Sequence, residues 1–322
     1  MSAAKQAALV TLGEVLAVLR SEHAGPLRRG QSMRLSIAGS ESNVAIGVSR
    51  LGHSAVFVGR TGADALGSVV RSALLGAGVA AELSVDPERP TGLMLVERRM
   101  HDVRRVQYYR RASAGSALTP DDVEAATFAG ARLLHVTGIT PLLSDSAAAA
   151  VAAAVAQACS HGIPVSLDLN YRSALAAPEQ FRSTLGPLVA SADIVFASVD
   201  EARLFLGGPA QLEPEELAVA MMGWGAAEVV LTDGRRGAWG LAGGRCFRQP
   251  AAPVSAADPI GAGDAFVAGY LAARLDGQPF QERLALASRV AAVCVGTDGD
   301  WEGLPAADEL VLLELDHGTV RR

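Results

Sequence analysis

One glycine-rich segment near the carboxyl end of the chain combines residue types that suit phosphoryl transfer. The sequence Asp258-Pro259-Ile260-Gly261-Ala262-Gly263-Asp264 stands directly before an apolar, helix-like run over residues 265–275. Small residues at that point leave the main-chain N–H groups of a helix N-terminus free to hold a phosphate. Asp264 would repel an anion, so it makes chemical sense as a base that accepts a proton from a substrate hydroxyl. Taken alone, the segment is equally typical of a plain glycine-rich turn before a helix.

Polar residues also follow a predicted strand in the middle of the chain. Asp168-Leu169-Asn170-Tyr171-Arg172 comes directly after the apolar run 163–167. If the extended conformation continues, Asp168, Asn170 and Arg172 point to one side of the chain. A capping turn at the end of the strand is the alternative interpretation.

Two further segments combine aromatic and charged side chains. Tyr108, Tyr109 and Arg110 end a predicted strand, in which Tyr108 and Arg110 point to one face. The planar guanidinium of an arginine beside a phenol suits a carboxylate with adjacent hydroxyls better than an uncharged ligand. An exposed, arginine-rich strand face is the alternative. The polar loop 299–305, which contains Asp300 and a tryptophan, follows an apolar helical pattern.

Short apolar runs alternate with helical patterns from about residue 120 onward. The strand candidates are 132–136, 163–167, 193–197 and 228–231, and the helix candidates are 144–159, 178–189, 200–206 and 214–222. Repeated β-then-α order with nearly continuous hydrophobic strands predicts a parallel sheet covered by helices on both faces. Ligands of such sheets bind beyond the carboxyl ends of the strands, which is where the polar segment 168–172 would lie.

Two segments break this order and predict a separate small sheet. Residues 15–37 and 92–111 alternate polar and apolar side chains, which is typical of half-buried strands. They flank the helical patterns 43–50 and 64–75, so the small sheet is inserted discontinuously. The predicted division is an α/β body of residues 1–14, 38–90 and 112–322, and a β-sheet lid of residues 15–37 and 91–111.

Composition limits the class of protein. Of the 322 residues, 50% are hydrophobic and 19% are charged, which predicts a folded chain with a substantial core. A net charge of −6 without a basic run argues against a nucleic-acid partner. The alanine-rich run 147–156 is too short to span a membrane, and the first residues lack the order of a signal peptide. Cys159, Cys246 and Cys294 follow no metal-ligand spacing and predict reduced, mostly buried thiols of a cytoplasmic protein.

A second motif, Ala38-Gly39-Ser40-Glu41-Ser42-Asn43, opens the first predicted helix. Together with the segment 258–264, it resembles the two signatures of the PfkB (ribokinase-like) carbohydrate kinase family, one near each end of the chain. The early inserted sheet and the later run of βα units are also similar to that family. The resemblance implies a ribokinase-like three-layer α/β/α body with a mostly parallel sheet and a small β-sheet lid. It also implies an ATP-dependent phosphotransferase that acts on an alcohol group of a sugar.

The resemblance assigns roles near the transferred phosphate. Asp264 is implied as the base, with Gly261, Ala262 and Gly263 as its catalytic neighbours. The loop 232–237 is similar to the nucleotide loop of the family. The residues implied to contact ATP are Asn170, Thr232, Gly234, Gly237, Gly261 and Gly263.

A further segment bears on metal binding. Ser198-Val199-Asp200-Glu201 stands where the family commonly has Asn-x-x-Glu, so Glu201 would help to organise Mg²⁺ although a serine replaces the asparagine. Acidic residues that favour the first turn of a helix are the alternative. Magnesium is expected from the chemistry of ATP, and a need for a monovalent cation stays open.

Within the family, the chain most resembles the 2-keto-3-deoxygluconate kinases. That resemblance implies phosphorylation of the primary hydroxyl of a keto-deoxy sugar acid, with gluconate or galactonate stereochemistry left open. Ala176 stands where many such kinases have a tryptophan and departs from the pattern. The residues implied to contact the sugar acid are Gly39, Asn43, Tyr108, Arg110, Arg172 and Asp300.

Other functions stay open at this point. A neutral-sugar kinase of the fructokinase or ribokinase type and a 5-dehydro-2-deoxygluconate kinase fit the same signatures. A non-catalytic sugar- or nucleotide-binding regulator on this fold would have no need of Asp264. An NAD-dependent dehydrogenase is disfavoured, because no Gly-x-Gly-x-x-Gly follows the first strand. Since a few strands with open edges are unstable alone, we expect two lids to pair in a homodimer.

Overall fold

The computed structural model describes residues 7–100, 103–208, 212–254, 260–297 and 299–314. Asp258 and Pro259 of the glycine-rich segment lie outside the described residues. The strands are β1 (Leu9–Leu12), β2 (Leu16–Ser21), β3 (Met33–Ala38), β4 (Ala55–Gly62), β5 (Val79–Asp86), β6 (Leu93–Met100), β7 (Val103–Tyr109), β8 (Leu133–Thr137), β9 (Val165–Asp168), β10 (Ile194–Ser198), β11 (Glu228–Thr232), β12 (Ala238–Ala242) and β13 (Arg245–Gln249). The α-helices are α1 (Ser40–Arg50), α2 (Ala65–Gly76), α3 (Asp145–Ser160), α4 (Pro178–Ser191), α5 (Val199–Leu206), α6 (Pro214–Met222), α7 (Ala262–Leu275) and α8 (Phe280–Val295).

The large sheet has the strand order β13-β12-β11-β10-β9-β8-β1-β4-β5. Its neighbours pair in parallel from β11 to β5, and β12 and β13 are antiparallel at one edge. In β10, Val195 and Ala197 belong to a buried cluster with α3 to α6, whereas Ile194 and Phe196 belong to a second cluster with α1, α7 and α8. Because both faces are buried, the strands are hydrophobic throughout. This three-layer body confirms the predicted fold class.

Local signals set the ends of the helices. Ser144 Oγ accepts a hydrogen bond from the Ala147 N–H at the start of α3, and the Asp64 carboxylate accepts one from the Gly67 N–H at the start of α2. Gly207, with φ 61°, ends α5 in the left-handed conformation. The predicted strands and helices agree with the observed boundaries to within three residues.

The small sheet has the order β3-β2-β6-β7, with β2 and β6 parallel and the other two pairs antiparallel. It has a buried cluster of its own, formed by Leu16, Val18, Ala38, Met94 and Val96. Four crossovers join it to the body, between β1 and β2, β3 and α1, β5 and β6, and after β7. A separate small sheet is thus confirmed.

The prediction of mostly buried cysteines is wrong. Cys294 is buried, but Cys159 and Cys246 are exposed. Cys159 lies in the last turn of α3, and Cys246 lies in the edge strand β13, where only part of the surface is covered. None of the described helices is long and apolar enough to cross a bilayer.

Candidate active site

A cavity of about 370 Å³ lies at the carboxyl edge of the large sheet. Residues that follow β9, β10 and β11 meet there with the N-terminus of α7, as expected for a parallel sheet. The lining includes these residues selected from the sequence: Asp168, Asn170, Arg172, Glu201, Thr232, Gly261, Gly263 and Asp264.

The N-terminus of α7 faces this cavity without a side-chain cap. Gly261 precedes the helix with φ 77°, and a Cβ there would collide with the backbone carbonyl of Asp300. The space around Gly263 is open. Since the first N–H groups of a helix have no partner within it, those of α7 can hold an anion. Ala262, the first residue of the helix, contributes one of them.

Two residues of α1 hold the carboxylate of Asp264. Ser40 Oγ donates to Asp264 Oδ1 at 2.6 Å, and Asn43 Nδ2 donates to Asp264 Oδ2 at 2.7 Å. Burial raises the pKa of Asp264, and the two hydrogen bonds and the charge of Arg172 act against that rise. The two sequence motifs therefore form one structural unit, although 221 positions separate Asn43 from Asp264.

Asn170 extends this network to the end of β9. Its Nδ2 donates to Ser40 Oγ at 2.8 Å. With φ 42° at Asn170 the extended conformation ends, so Asp168, Asn170 and Arg172 reach one cavity through a turn and not along a strand. The Oδ1 atoms of Asn43 and Asn170 are buried and have no hydrogen-bond partner among the described residues. Both atoms can accept a hydrogen bond from a ligand.

Tyr171, in the same segment, packs away from the cavity. Its ring meets that of Phe181 edge-on, with centroids 4.8 Å apart, and its hydroxyl donates to the carbonyl of Ala176 at 3.0 Å. The expectation that this segment faces a ligand therefore applies to Asn170 and Arg172, which line the cavity, and not to the tyrosine.

Asp168 and Glu201 add two carboxylates to the cavity. Burial raises the pKa of Asp168 well above its usual range, and the charges of Glu201 and Asp264 raise it further. Glu201 accepts hydrogen bonds from the Ser198 N–H at 2.7 Å and from the Tyr171 N–H at 2.8 Å. With Ser198 Oγ it forms the capping box of α5. Glu201 is therefore an acidic residue in the first turn of a helix, as the alternative interpretation of the sequence had it. The same side chain also lines the cavity.

The predicted nucleotide residues differ in their surroundings. Thr232 lines the cavity, and Gly234, with φ 51°, borders open space. A Cβ at Gly237 would collide with the backbone of Gln249, at the end of β13. Position 237 requires glycine because of this neighbouring strand, whether or not a ligand binds. A contact of Gly237 with ATP stays a prediction.

Tyr108 and Arg110 lie where the small sheet rejoins the body. The Arg110 guanidinium lies over the Tyr108 ring, 5.2 Å from its centroid, so the two side chains share a face as the alternation predicts. Arg110 Nη2 lies 2.6 Å from Oε2 of Glu14, a buried acid that follows β1. The guanidinium proposed for a substrate is therefore already ion-paired on one side.

Asp300 connects the carboxyl-terminal loop to the small sheet. Its carboxylate lies 3.2 Å from Arg20 of β2, and only 5% of the residue is exposed. The neighbouring Trp301 donates from Nε1 to the carbonyl of Ile37 at 3.0 Å and carries the Arg50 guanidinium over its ring. The tryptophan is explained by packing between the body and β3.

Gly39 stands at the crossover from β3 to α1. A Cβ there would collide with the carbonyl of Glu14, so the glycine is required by the chain's own packing. A contact with the sugar acid stays a prediction.

Sequence reasoning missed three charged residues that interact with residues predicted to belong to the site. Glu14 and Arg20 are the partners of Arg110 and Asp300. Glu41 is buried, accepts hydrogen bonds from the Thr137 and Thr140 hydroxyls, and has its pKa raised to about 7 by burial. Glu14 follows an apolar strand and could have been found by the rule for strand ends. Nothing local marks Arg20, because its partner is 280 positions away.

The profile of the pfkB family carbohydrate kinases matches residues 6–307. The chain therefore belongs to this family, as its two motifs predicted.

Known relatives and structures agree with this membership. The chain is 35% identical over 308 residues to a 2-dehydro-3-deoxygluconokinase of Thermoproteus tenax, which covers 94% of this chain and 92% of that relative. It is 31% identical over 306 residues to the 2-dehydro-3-deoxygluconokinase of Bacillus subtilis (strain 168), with 94% and 93% covered. The crystal structure of a PfkB protein from Polaromonas sp. JS666 has a TM-score of 0.85 and 30% identity, covering 94% of this chain and 98% of that one.

Proposed function

We propose that this protein is an ATP-dependent kinase that phosphorylates the primary hydroxyl of a keto-deoxy sugar acid, converting 2-keto-3-deoxygluconate to its 6-phosphate. The observation that carries the proposal is the half-buried Asp264 carboxylate, held by Ser40 and Asn43 at the open N-terminus of α7. Membership in a carbohydrate kinase family and the names of the two relatives support the choice of substrate.

Asp264 acts as the general base in this mechanism. Its oxygens accept hydrogen bonds from neutral donors, which orient the carboxylate without neutralising it. A substrate hydroxyl beside it can lose its proton as the oxygen attacks the γ-phosphoryl group in line. The N–H groups of Gly261 to Asp264 stabilise the charge that develops on the phosphoryl oxygens.

The residues that would hold ATP and Mg²⁺ line the same cavity. The ATP phosphates would lie between α7 and the loop that begins at Thr232, where Gly234 and Gly263 border open space. The donor set suits Mg²⁺, because Asp168 and Glu201 offer only oxygen ligands. Burial raises the pKa of Asp168, and the negative charge of Glu201 raises it further. Magnesium bound with ATP would neutralise phosphate charge. Since it usually keeps several waters, these carboxylates can hold it through water.

The sugar acid would lie between Asp264 and the small sheet. Its primary hydroxyl would point to Asp264, and another hydroxyl group can donate to the buried Oδ1 atom of Asn43. Asn170 stays assigned to ATP. Tyr108 and Arg110 approach from β7, and the proposed set is completed by Gly39, Arg172 and Asp300. We propose that the small sheet acts as a lid that excludes water from the reaction.

The decisive experiment is a coupled ADP-release screen with and without Mg²⁺. The substrates are 2-keto-3-deoxygluconate, its galactonate epimer, 5-dehydro-2-deoxygluconate, fructose and ribose. We expect Mg²⁺-dependent turnover with the 2-keto-3-deoxy acids and little with neutral sugars. A higher kcat/KM for fructose or ribose would overturn the substrate assignment, and ADP release with none of these compounds would overturn the proposed reaction.

We further propose a homodimer formed through the small sheets. Within the described residues, β3 and β7 are the edge strands of the small sheet, and β7 exposes Val103, Val106 and Tyr109. A second copy would cover these side chains and the open edges. Light scattering at micromolar concentration should report twice the mass of the chain, and a monomer would contradict the dimer.

The proposed reaction consumes ATP, so we also place the protein in the cytoplasm. Cell fractionation with detection of the native chain tests this placement, and recovery outside the cytoplasm would contradict it.

A further inference from the structure

The buried acid Glu14 lies where the small sheet joins the body, and the proposed reaction gives it no role. The residue is 3% exposed and stands between β1 and β2. Its Oε2 lies 2.6 Å from Arg110 Nη2, and its Oε1 accepts a hydrogen bond from Ser113 Oγ at 3.0 Å. Arg110 and Ser113 follow β7, so Glu14 connects the crossover between β1 and β2 with the segment after β7.

Glu14 is also in close contact with three glycines, one from each of the other three crossovers. A Cβ at Gly39 would collide with the Glu14 carbonyl, and one at Gly92 would lie 3.3 Å from Glu14 Oε1. A Cβ at Gly115 would lie 2.7 Å from Glu14 Cγ. All four crossovers therefore meet at Glu14. Such close packing restricts the position of the carboxylate. The ion pair in turn restricts the position of the Arg110 guanidinium.

One carboxylate does not use all the donors of Arg110. An arginine has about five N–H donors, and the only ion pair that Arg110 forms within the described residues is through Nη2 with Glu14. Its Nε is buried and has no hydrogen-bond partner there. The pair is poorly solvated, since burial raises the pKa of Glu14 against the influence of Arg110 and Ser113. Arg110 thus keeps donors for a second acceptor while Glu14 holds it in place.

We propose that Glu14 is a positioning residue that fixes Arg110 at the junction, so that the remaining N–H groups of Arg110 bind the carboxylate of the sugar acid. The proposal rests on the proposed function, because it takes that carboxylate as the ligand of Arg110. Without Glu14, the guanidinium would have no buried counter-ion and would turn toward solvent. Glu14 thereby contributes to the selection of acids over neutral sugars without touching the substrate.

The test compares Glu14→Gln with the natural chain on two substrates, 2-keto-3-deoxygluconate and its neutral methyl ester. Glutamine keeps the shape and an oxygen for Ser113 but removes the charge. We expect KM for the acid to rise about tenfold, the value of one charge-assisted hydrogen bond, with kcat changed less than about threefold. The kcat/KM for the ester should stay nearly constant. The double variant E14Q/R110L should be no worse on the acid than Arg110→Leu alone.

Glu228→Gln is a matched control. Glu228 forms ion pairs with Arg274 and Arg283 at the start of β11, at the opposite end of the strand from the cavity. Its loss should lower the midpoint of thermal unfolding and leave the preference for acid over ester unchanged. A merely structural role of Glu14 would give this same result, with both substrates affected alike.

Each outcome bears on one of the two proposals. An unchanged acid preference in E14Q, or an effect that adds to that of R110L, contradicts the role of Glu14. If R110L itself leaves the preference unchanged, Arg110 does not bind the carboxylate and the Glu14 proposal falls. Absence of turnover in the natural chain contradicts the proposed function instead. If E14Q does not fold, Ser113→Ala loosens the same carboxylate and should raise KM for the acid about two- to threefold; an unchanged KM then contradicts the proposal.

Discussion

The body side and the small-sheet side of the candidate active site hold their charged groups in different ways. On the body side, the Asp264 carboxylate is bound by a hydroxyl and an amide, from Ser40 and Asn43. On the small-sheet side, each named charge is paired with an opposite charge, as in Arg110 with Glu14. Neutral donors orient a base and leave its charge available for a proton, whereas ion pairs fix a charge in place. The body side is thus suited to proton transfer and the small-sheet side to recognition.

The Asp300 and Arg20 pair follows the same division. The pair joins the carboxyl-terminal loop to β2, and the backbone carbonyl of Asp300 lies against Gly261. The small sheet is therefore fastened to the body by ion pairs at two places, one beside β7 and one beside β2. The comparison predicts that variants on the body side change the chemical step and that variants on the small-sheet side change KM.

Asp264→Asn should have the largest effect. An amide cannot accept the substrate proton, so kcat should fall by about 10² or more, while ATP affinity stays within about threefold. Coupled ADP release and nucleotide titration measure the two quantities. Asp145→Asn is a control, since Asp145 lies in the first turn of α3. Full turnover of Asp264→Asn would show that the body side does not supply the base.

Glu41→Gln tests the burial of charge on the body side through stability. The pKa of Glu41 is raised from 4.5 to about 7, so between these values the folded chain retains a proton that the unfolded chain releases. Stability of the natural chain should therefore fall as pH rises through this window, and the Gln variant lacks this loss. Between about pH 5 and about pH 8, the unfolding free energy of the natural chain should fall by up to about 3 kcal/mol relative to that of the variant. Urea unfolding at both pH values measures it, and a constant difference would contradict the burial of this charge.

Ser40→Ala should have a smaller effect on the chemical step. Loss of one hydrogen bond to the base should lower kcat about tenfold. Because that bond acts against the rise in the pKa of Asp264, its loss raises this pKa further, and the acidic limb of the kcat/KM profile should move to higher pH. Ser42→Ala is the matched control, since Ser42 donates to the carbonyl of Gly39. An unmoved limb in Ser40→Ala would remove Ser40 from the unit that holds the base.

Asp300→Asn should have the smallest effect and tests the small-sheet side. We expect KM for the sugar acid to rise about threefold, with no movement of the acidic limb, because asparagine keeps an oxygen that can still accept a hydrogen bond from Arg20. Asp200→Asn is the control, since Asp200 is almost fully exposed and pairs with Arg203, one helical turn away. If Asp300→Asn moved the acidic limb, the two sides of the site would not be separate.

Much of the fold could be predicted because its signals are local. Continuous apolar strands, the cap at Ser144 and the glycine after α5 act within one or two turns of chain. The two motifs identified the base and the anion-binding turn for the same reason. The local rule failed for Cys159 and Cys246, since a cysteine in a helix or an edge strand does not reveal which side faces solvent.

The glycines show where prediction from sequence ends. Gly39, Gly237 and Gly261 were assigned to ligands, yet a side chain at each would collide with this chain's own backbone. Gly234 and Gly263 do border open space. A glycine in the sequence indicates that another group packs close to the backbone at that position. Whether this group is a ligand or another segment of the same chain depends on residues far apart in the sequence.

By itself, the sequence determined the parallel body, the separate small sheet, the family and the residue placed as the base, because periodicity and short motifs encode these features locally. The tertiary structure alone decided that Ser40 and Asn43 hold Asp264, that Glu14 holds Arg110 and that Arg20 holds Asp300. These contacts join positions that are about a hundred or more residues apart, and only the folded sheet brings its strand ends to one edge. The sequence gives the identity of a charged residue, but the fold determines its counter-ion and its burial.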